Sequence, residues 1–424
     1  MNLDYELPES CIAARPAVRR DGSRLLAFGQ STPNGLSDYN FVDLPKLLPQ
    51  GSVLWTNQTR VLRARLRGCK PTGGAVEFLL LDPNGLSVEQ AMAATQSCTW
   101  VVLIGGAKRW KHGDVSIGSD EPSLCEMNIL ARRLPEFEGR FCVHFSWKGG
   151  ASFSEVLDRA GSIPLPPYMN RDSDERDADR YQTLFAQKLG SVAAPTAGLH
   201  FSQEVLAALK ARDVASAHVT LHVGVGTFKP VSGPLAEHVM HAERCEISRG
   251  ALQVLAEQPD RTVVGTTTLR TLESVYWLAC LLRIATDDSA QDAVPHALVA
   301  QAAAVKEALA SGASAHIPQW IDRSDLPEYG TYEQAVESLL DVLESTGQDA
   351  VKFSTEIMIV PGYRIRSTHR LVTNFHMPGS TLLCIIEAAV GPMWRKAYAH
   401  AVKAGYRFLS YGDACLLSFQ PSKT

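Results

Sequence analysis

From Val61 to Arg67 the chain reads VLRARLR, so that Leu62, Ala64 and Leu66 alternate with Arg63, Arg65 and Arg67. Strand side chains alternate between the two faces of a sheet, whereas helical ones recur every three to four positions. A helix would spread these arginines around its circumference; a strand collects them on one side. The stretch therefore predicts a strand with one apolar and one basic face. KPTGG then supplies a turn and AVEFLLL a return strand, giving a hairpin. The runs CTWVVLIG, GDVSIG and RFCVHFSW follow with glycine-containing turns between them. From about Arg60 to Trp147 the pattern suits a small all-β module.

Past GSIPLPPYMNR the texture changes. SQEVLAALKARDV has helical spacing with Ser202 as its cap, and HVTLHVGVGTF is rich in β-branched residues. RTVVGTTTLRTLESVYWLACLL reads as strand, polar turn and helix. IMIVPGY, RLVTNF and RFLSYGDACLL are expected strands, with helices at STLLCIIEAAV and MWRKAYAHAVKAG. Alternating strands and helices predict a layered α/β domain. Between them, 285–329 is rich in Ala, Asp and Ser; it either packs as helices, for which LVAQAAAVKEALA is suited, or forms a mobile lobe.

Composition narrows the class. With 424 residues, 45% hydrophobic and 20% charged, the chain has ample material for a large core. It has no apolar run of about 18 residues, the length a membrane-spanning helix needs. MNLDYELPES lacks the basic and then apolar regions of a signal peptide, so a cytoplasmic location is expected. Nine scattered cysteines without a C-x-x-C pair predict reduced thiols rather than a disulfide framework or zinc knuckle. The net charge of −4 leaves nucleic acid possible only through a local basic face.

The candidate chemistry lies where strands end. In VAAPTAGLHF, Pro195 and Gly198 disfavour helix and strand, and the loop delivers His200 and Phe201. In VGTTTLRTLES, Thr266, Thr267 and Thr268 begin a helix whose free N–H groups favour an anion. Arg270 and Glu273 are three apart there, and a local ion pair competes evenly with substrate contact. LVTNFHMPGSTLL places Asn374, His376, Ser380 and Thr381 after an apolar strand, and FLSYGDACLL places Tyr411 and Asp413 after another. Open α/β sheets bind ligands at such ends. HVMHAE offers His238, His241 and Glu243; on a helix the histidines would share a face, but a third metal ligand at regular spacing is lacking, and hydrogen-bonding or acid–base roles are preferred. GxGxxG, P-loop, GxSxG and HExxH signatures are missing, which removes support from the common nucleotide-dependent and hydrolytic classes.

Taken in order, DYELPESCIA, RDGSRLL, NQTRVLRARL, PTGGAVEFLLL, IPLPPY, RYQTLFA, AAPTAGLHF, LHVGVGTFKPV, HVMHAE, VGTTTLRTLES, VPGYRIR, LVTNFHMPGSTLL and YRFLSYGDACLL resemble the S-adenosylmethionine:tRNA ribosyltransferase-isomerase (QueA) family of queuosine biosynthesis across nearly the whole chain. The resemblance implies a layered α/β main domain, 1–59 and 149–424 with an insertion at about 285–329, interrupted by a small antiparallel β-barrel at 60–148. It also implies transfer and isomerisation of the ribosyl unit of S-adenosylmethionine onto 7-aminomethyl-7-deazaguanine at the wobble position of tRNA. The product is epoxyqueuosine, with adenine and methionine released. S-adenosylmethionine is then a substrate, and no metal or other cofactor is expected.

On this resemblance the candidate catalytic residues are His200, His222, His376, Glu243 and Asp413. Candidate substrate contacts are Asn57, Thr59, Arg60, Thr196, Phe201, Thr227, Thr266, Thr268, Arg270, Glu273, Asn374, Ser380, Thr381 and Tyr411. Arg63, Arg65, Arg67, Lys108, Arg109 and Lys111 would hold tRNA phosphates, with a solvated strand face as the competing reading. No membrane partner is expected; the sequence does not reveal the oligomeric state, and a monomer is compatible with it. Gln58, Ala242 and Gly379 depart from the family pattern, and the stretch from Glu273 to Thr355 is longer than expected. A paralogue with another acceptor, a non-catalytic RNA-binding relative, and a metal hydrolase built on HVMHAE are the rival readings.

Overall fold

The structure is a computed structural model; it describes residues 3–419 apart from 31, 33, 34, 119–121, 138, 225–232, 293 and 324–329. Two compact units form: Met1–Gln58, Thr183–Phe185 and Pro195–Thr424 make the first, and Thr59–Gln182 with Ala186–Ala194 the second. The first begins with strands β1 (Arg24–Gly29), β2 (Leu36–Asn40) and β3 (Val53–Asn57). The second holds β4 (Thr59–Val61), β5 (Arg65–Cys69), β6 (Ala75–Pro83), β7 (Ser97–Gly105), β8 (Val115–Ile117), β9 (Ile129–Phe137), β10 (Arg140–Ser146), β11 (Gly161–Ser162) and β12 (Lys188–Ser191). The chain then adds β13 (Ala215–Leu221), β14 (Glu243–Ser248), β15 (Arg261–Val264), β16 (Ala315–Ile317), β17 (Ala350–Thr355), β18 (Arg370–Asn374) and β19 (Ala414–Ser418) to the first unit.

In the second unit the antiparallel order β5-β6-β7-β10-β9-β8 closes on itself through β8 and β5, making a six-stranded barrel. The KPTGG hairpin forms as expected, with Cys69 opposite Ala75. The continuous strand expected over Val61–Arg67 does not: the ladder breaks at 62–64, where the Leu62 amide donates to Ser191 O at 2.8 Å. Burial still alternates, because Leu62, Ala64 and Leu66 enter the core while Arg63, Arg65 and Arg67 stay partly or fully exposed. The unit also runs well past residue 148. The helix Phe153–Ala160 buries Phe153 against Trp100, Phe145 and Trp147, and β12 pairs in parallel with β4. IPLPPY therefore lies inside the unit, past the border expected at residue 148.

The first unit is built on a ten-stranded sheet of order β16-β17-β14-β13-β3-β15-β18-β19-β1-β2. β13, β3, β15 and β18 are mutually parallel; β14 runs antiparallel to β13 and β17, and β19 runs antiparallel to β18 but parallel to β1. One edge thus collects the carboxyl ends of β13, β3, β15, β18 and β17 with the amino ends of β14, β19 and β1. The first face of this sheet carries the helix Thr266–Thr286, buried on almost every side, as the apolar run Val275–Leu282 of its second half requires. The second face packs Leu54, Val264 and Val372 against Phe201, Val205 and Leu209.

Three local expectations change. IMIVPGY is not a strand: after Thr355 the main chain leaves the ladder, and the Ile357 amide turns back to Thr355 Oγ1 at 3.1 Å. In RFLSYGDACLL only Ala414–Ser418 is a strand, so Tyr411 and Asp413 precede it rather than follow one. Asp413 accepts the amides of Arg24 (2.9 Å) and Arg407 (2.8 Å), and these bonds shape the loop. The 285–329 segment packs: its helix His296–Ser311 lies on Thr266–Thr286, and β16 extends the sheet beside β17. Residues 324–329 lie outside the described residues.

Candidate functional site

At the centre of the polar edge, β15 turns into the helix Thr266–Thr286 through Gly265. Its φ of +89° is a backbone region that side chains with a Cβ rarely adopt. Thr268 is tied back to Val264 O at 2.6 Å, whereas the buried Thr267 hydroxyl has no partner among the described residues. Thr266 is buried beside it.

On the second face, the stretch Thr196–His200 forms a single 3₁₀ segment. Gly198 is needed there, since a Cβ would come within 2.8 Å of Thr183 Cγ2. This close approach seats His200 under the sheet edge. Thr196 Oγ1 donates to Asn374 Oδ1 at 2.9 Å, which turns Asn374 Nδ2 toward His200 Nε2 at 3.0 Å. Nε2 is therefore the acceptor, and Nδ1–H donates to Ser23 Oγ at 2.8 Å. Burial pushes the His200 pKa down to about 3, with Arg407 adding to the effect. The imidazole is neutral and both nitrogens are engaged, which is the arrangement of a structural pin. Phe201, next in sequence, is fully buried between Phe41 and Phe185 and serves the core rather than a ligand.

On the first face lies a cleft lined by Gly224, His238, Val239, Met240, His241, Glu243, Arg270, Ile357, Met358, Ile359, Thr381, Leu382 and Ile385. Glu243 starts β14 and pairs with Arg270, one turn into the helix; both are more than nine-tenths buried. Glu243 Oε1 also accepts the Gly224 amide at 3.1 Å. Arg270 Nε donates to Ile357 O at 3.1 Å, and Arg270 Nη2 has no partner among the described residues. Gln319, from the long insertion, clamps two walls: its Oε1 accepts the Met240 amide at 3.0 Å, its Nε2 donates to His238 O at 2.6 Å, and its carbonyl accepts the Met358 amide at 3.0 Å. Burial, with a contribution from His241, lowers the His238 pKa and favours a neutral imidazole.

HVMHAE is not helical; a short 3₁₀ turn, Leu235–Glu237, precedes it and Glu243 opens a strand. The shared helical face on which the metal reading rested does not form. Among the described residues no three His, Cys, Asp or Glu side chains converge as a metal set.

The remaining candidates separate. Arg270 and Glu273 do not pair; Glu273 instead accepts the Tyr363 hydroxyl (2.9 Å) and the Arg366 (3.0 Å) and Ser367 (2.8 Å) amides, and holds that loop. His376 is buried on the first face with Nε2 on Thr373 Oγ1 at 3.0 Å, and burial takes its pKa down to about 3. The His222 amide meets Arg244 O at 2.9 Å, so its side chain falls on the face opposite Glu243. Asn57 bridges to the Leu221 main chain at 2.9 and 3.1 Å. Ser380 caps the helix Thr381–Val390, while Thr381 reaches the cleft. Tyr411 is buried in the loop before β19, and Thr227 lies outside the described residues. In the second unit Thr59 is buried in β4 and Arg60 is exposed. There Arg65 pairs with Glu77 (3.7 Å) and Arg67 with Asp172 and Glu77, while Arg63 is partly exposed and Lys108, Arg109 and Lys111 are exposed.

Sequence reasoning thus gathered the polar strand ends but missed the cleft walls. His238 and His241, for which the sequence favours hydrogen-bonding or acid–base roles over metal ligation, stand outside its catalytic set, and Met240, Met358, Leu382 and Gln319 carry no signal beyond apolar or linker composition.

A sequence profile of the family described as "Queuosine biosynthesis protein" matches residues 1–417. The S-adenosylmethionine:tRNA ribosyltransferase-isomerase of Azoarcus sp. (strain BH72) is 37% identical over 423 residues, covering 98% of this chain and 96% of that protein. The protein of the same name from Anaeromyxobacter dehalogenans (strain 2CP-C) is 37% identical over 428 residues, covering 98% of each. A solved S-adenosylmethionine tRNA ribosyltransferase from Thermotoga maritima aligns over 98% of this chain and 99% of its own at 24% identity and a TM-score of 0.44. With a barrel, a large mixed sheet and a family match along almost its whole length, the chain belongs to the S-adenosylmethionine:tRNA ribosyltransferase-isomerase family of queuosine biosynthesis.

Proposed function

We propose that this chain transfers and isomerises the ribosyl unit of S-adenosylmethionine onto 7-aminomethyl-7-deazaguanine in the wobble position of tRNA, yielding epoxyqueuosine, adenine and methionine. The observation that carries this reading is the cleft at the carboxyl-end edge of the sheet, where two imidazoles, a carboxylate and a guanidinium meet an apolar wall. The relatives' names supply S-adenosylmethionine and tRNA as the reactant classes.

The sulfonium acidifies its C5′ hydrogens, so a base at that carbon generates an ylide-like centre. Adenine departs with help from a donor, the amine attacks, and the epoxide closes as methionine leaves. Each step is acid–base or electrostatic and requires no metal or redox group. His238 and His241 are the imidazoles that line the cleft, and His238 is disposed to be neutral and able to take a proton. Glu243 supplies negative charge for the sulfonium. His200 acts as a positioning residue: with Asn374, Thr196 and Ser23 it fixes the same sheet edge from the other face. Asp413, through the amides of Arg24 and Arg407, does the same for the β1–β19 end. The exposed Arg60, Lys108, Arg109 and Lys111, with the partly exposed Arg63, are the proposed phosphate contacts on the second unit, reached by a tRNA in the cytoplasm.

The test is incubation with S-adenosylmethionine and tRNA carrying the deazaguanine precursor, followed by nucleoside mass spectrometry. Epoxyqueuosine together with stoichiometric adenine is the expected result. Adenine release with unmodified tRNA would assign a different acceptor, and no turnover of either substrate would overturn the reading.

A further inference from the structure

We propose that the cleft on the first face is an amino-acid subsite: Arg270 Nη2 receives the α-carboxylate of the methionine portion of S-adenosylmethionine, and free L-methionine occupies the same place. The inference rests on the proposed reaction for the identity of the ligand, but its physical basis is independent.

A guanidinium has five N–H donors in a fixed fork. Two directions are used inside the protein, toward Glu243 and toward Ile357 O, while Nη2 is buried without a partner among the described residues. A buried donor on a charged group is costly to leave unmade, so natural structures supply a partner. Thr381, Leu382 and Ile385 border the cleft on one side and Ile357, Met358 and Ile359 on another. The surface offered beside the unused donor is therefore aliphatic and thioether, which suits an unbranched alkyl–sulfur chain.

Charge selects among anions. The charges of Arg270 and Glu243 cancel, and Glu243 stands beside any group that reaches Nη2. A dianionic phosphate would meet that carboxylate uncompensated. An amino acid brings its own cation, the ammonium and, in the intact substrate, the sulfonium, so a zwitterion fits a site of zero net charge. Gln319 Nε2 lies 3.3 Å from Met358 Sδ while its carbonyl holds the Met358 amide, so the apolar wall is fixed before any ligand arrives.

The experiment is calorimetric titration of the full chain with L-methionine, L-methioninamide, 3-(methylthio)propylamine and inorganic phosphate. L-methionine should bind saturably, and the amide and the amine, both lacking the carboxylate, about tenfold or more weaker. In Arg270→Lys the advantage of L-methionine over its amide should shrink several-fold, while methionine should compete with S-adenosylmethionine in the wild type. Equal binding of acid, amide and amine would overturn the proposal, as would phosphate displacing methionine. Should Arg270→Lys fail to fold, the wild-type ligand series decides alone. Methionine binding without tRNA modification would sink the proposed reaction and leave the subsite; modification with no preference for the carboxylate would do the reverse.

Discussion

His200 and Arg270 are both buried polar side chains at one edge of one sheet, yet their surroundings differ in the respect that matters. On the second face every polar atom of the His200–Asn374–Thr196–Ser23 set shown here has a partner within 3.0 Å. On the first face Arg270 retains an unused buried donor beside a cleft. A closed network has nothing left to offer a ligand and specifies geometry; an open one stores binding capacity. The residue type that invites a catalytic reading, a histidine in a glycine-containing loop, belongs to the closed network.

Removing Arg270 should have the largest effect. Arg270→Ala leaves Glu243 buried and uncompensated, which costs about 3–5 kcal/mol of stability, and it should abolish turnover. Denaturant unfolding with a single-turnover assay on the folded fraction checks both. Next in size is His200→Ala: it strands Asn374 and Ser23 and opens a void, for about 2–3 kcal/mol. S-adenosylmethionine affinity of the folded protein should hold. A catalytic base would instead give about a 10²–10⁴-fold loss of rate at unchanged stability.

The legible part of the fold was whatever is encoded locally. The hairpin, the capped helix Gln203–Lys210, the strand-to-helix turn at Gly265 and the polar end of β18 are all set by neighbours in sequence. What stayed hidden depends on register across strands. Thr373 and Asn374 are adjacent, and a period of two sends one to His376 and the other to His200 on opposite faces. No spacing rule foretells that Arg270 pairs with Glu243, 27 residues away, while Glu273 holds the Ser367 loop. Gln319 acts only because the insertion folds back, which composition could not specify.

Acid should sharpen the contrast on a smaller scale. The folded chain holds His200 with a pKa of about 3 against an ordinary 6.5, and His376 likewise. The unfolded chain binds protons that the folded one refuses, so stability is full above about 6.5 and falls toward pH 3. The slope is up to about 1.4 kcal/mol per pH unit for each histidine. Thermal melts from pH 7 to 4 should be shallower for His200→Asn than for the wild type. Smallest of all are the surface changes. Arg67→Ala removes the exposed ion pairs to Asp172 and Glu77 and should cost about 0–1 kcal/mol. Removing Lys108, Arg109 and Lys111 together should lower the salt slope of tRNA binding by about 0.7–0.9 per lost phosphate contact.

The most direct test sets the two faces side by side: melting temperature and affinity for S-adenosylhomocysteine, an unreactive analogue, measured for His200→Gln and Arg270→Lys. The account predicts that His200→Gln melts lower and binds like the wild type, whereas Arg270→Lys loses about tenfold or more in affinity with the smaller loss of melting temperature. Weakened binding in His200→Gln with unaltered binding in Arg270→Lys would contradict it.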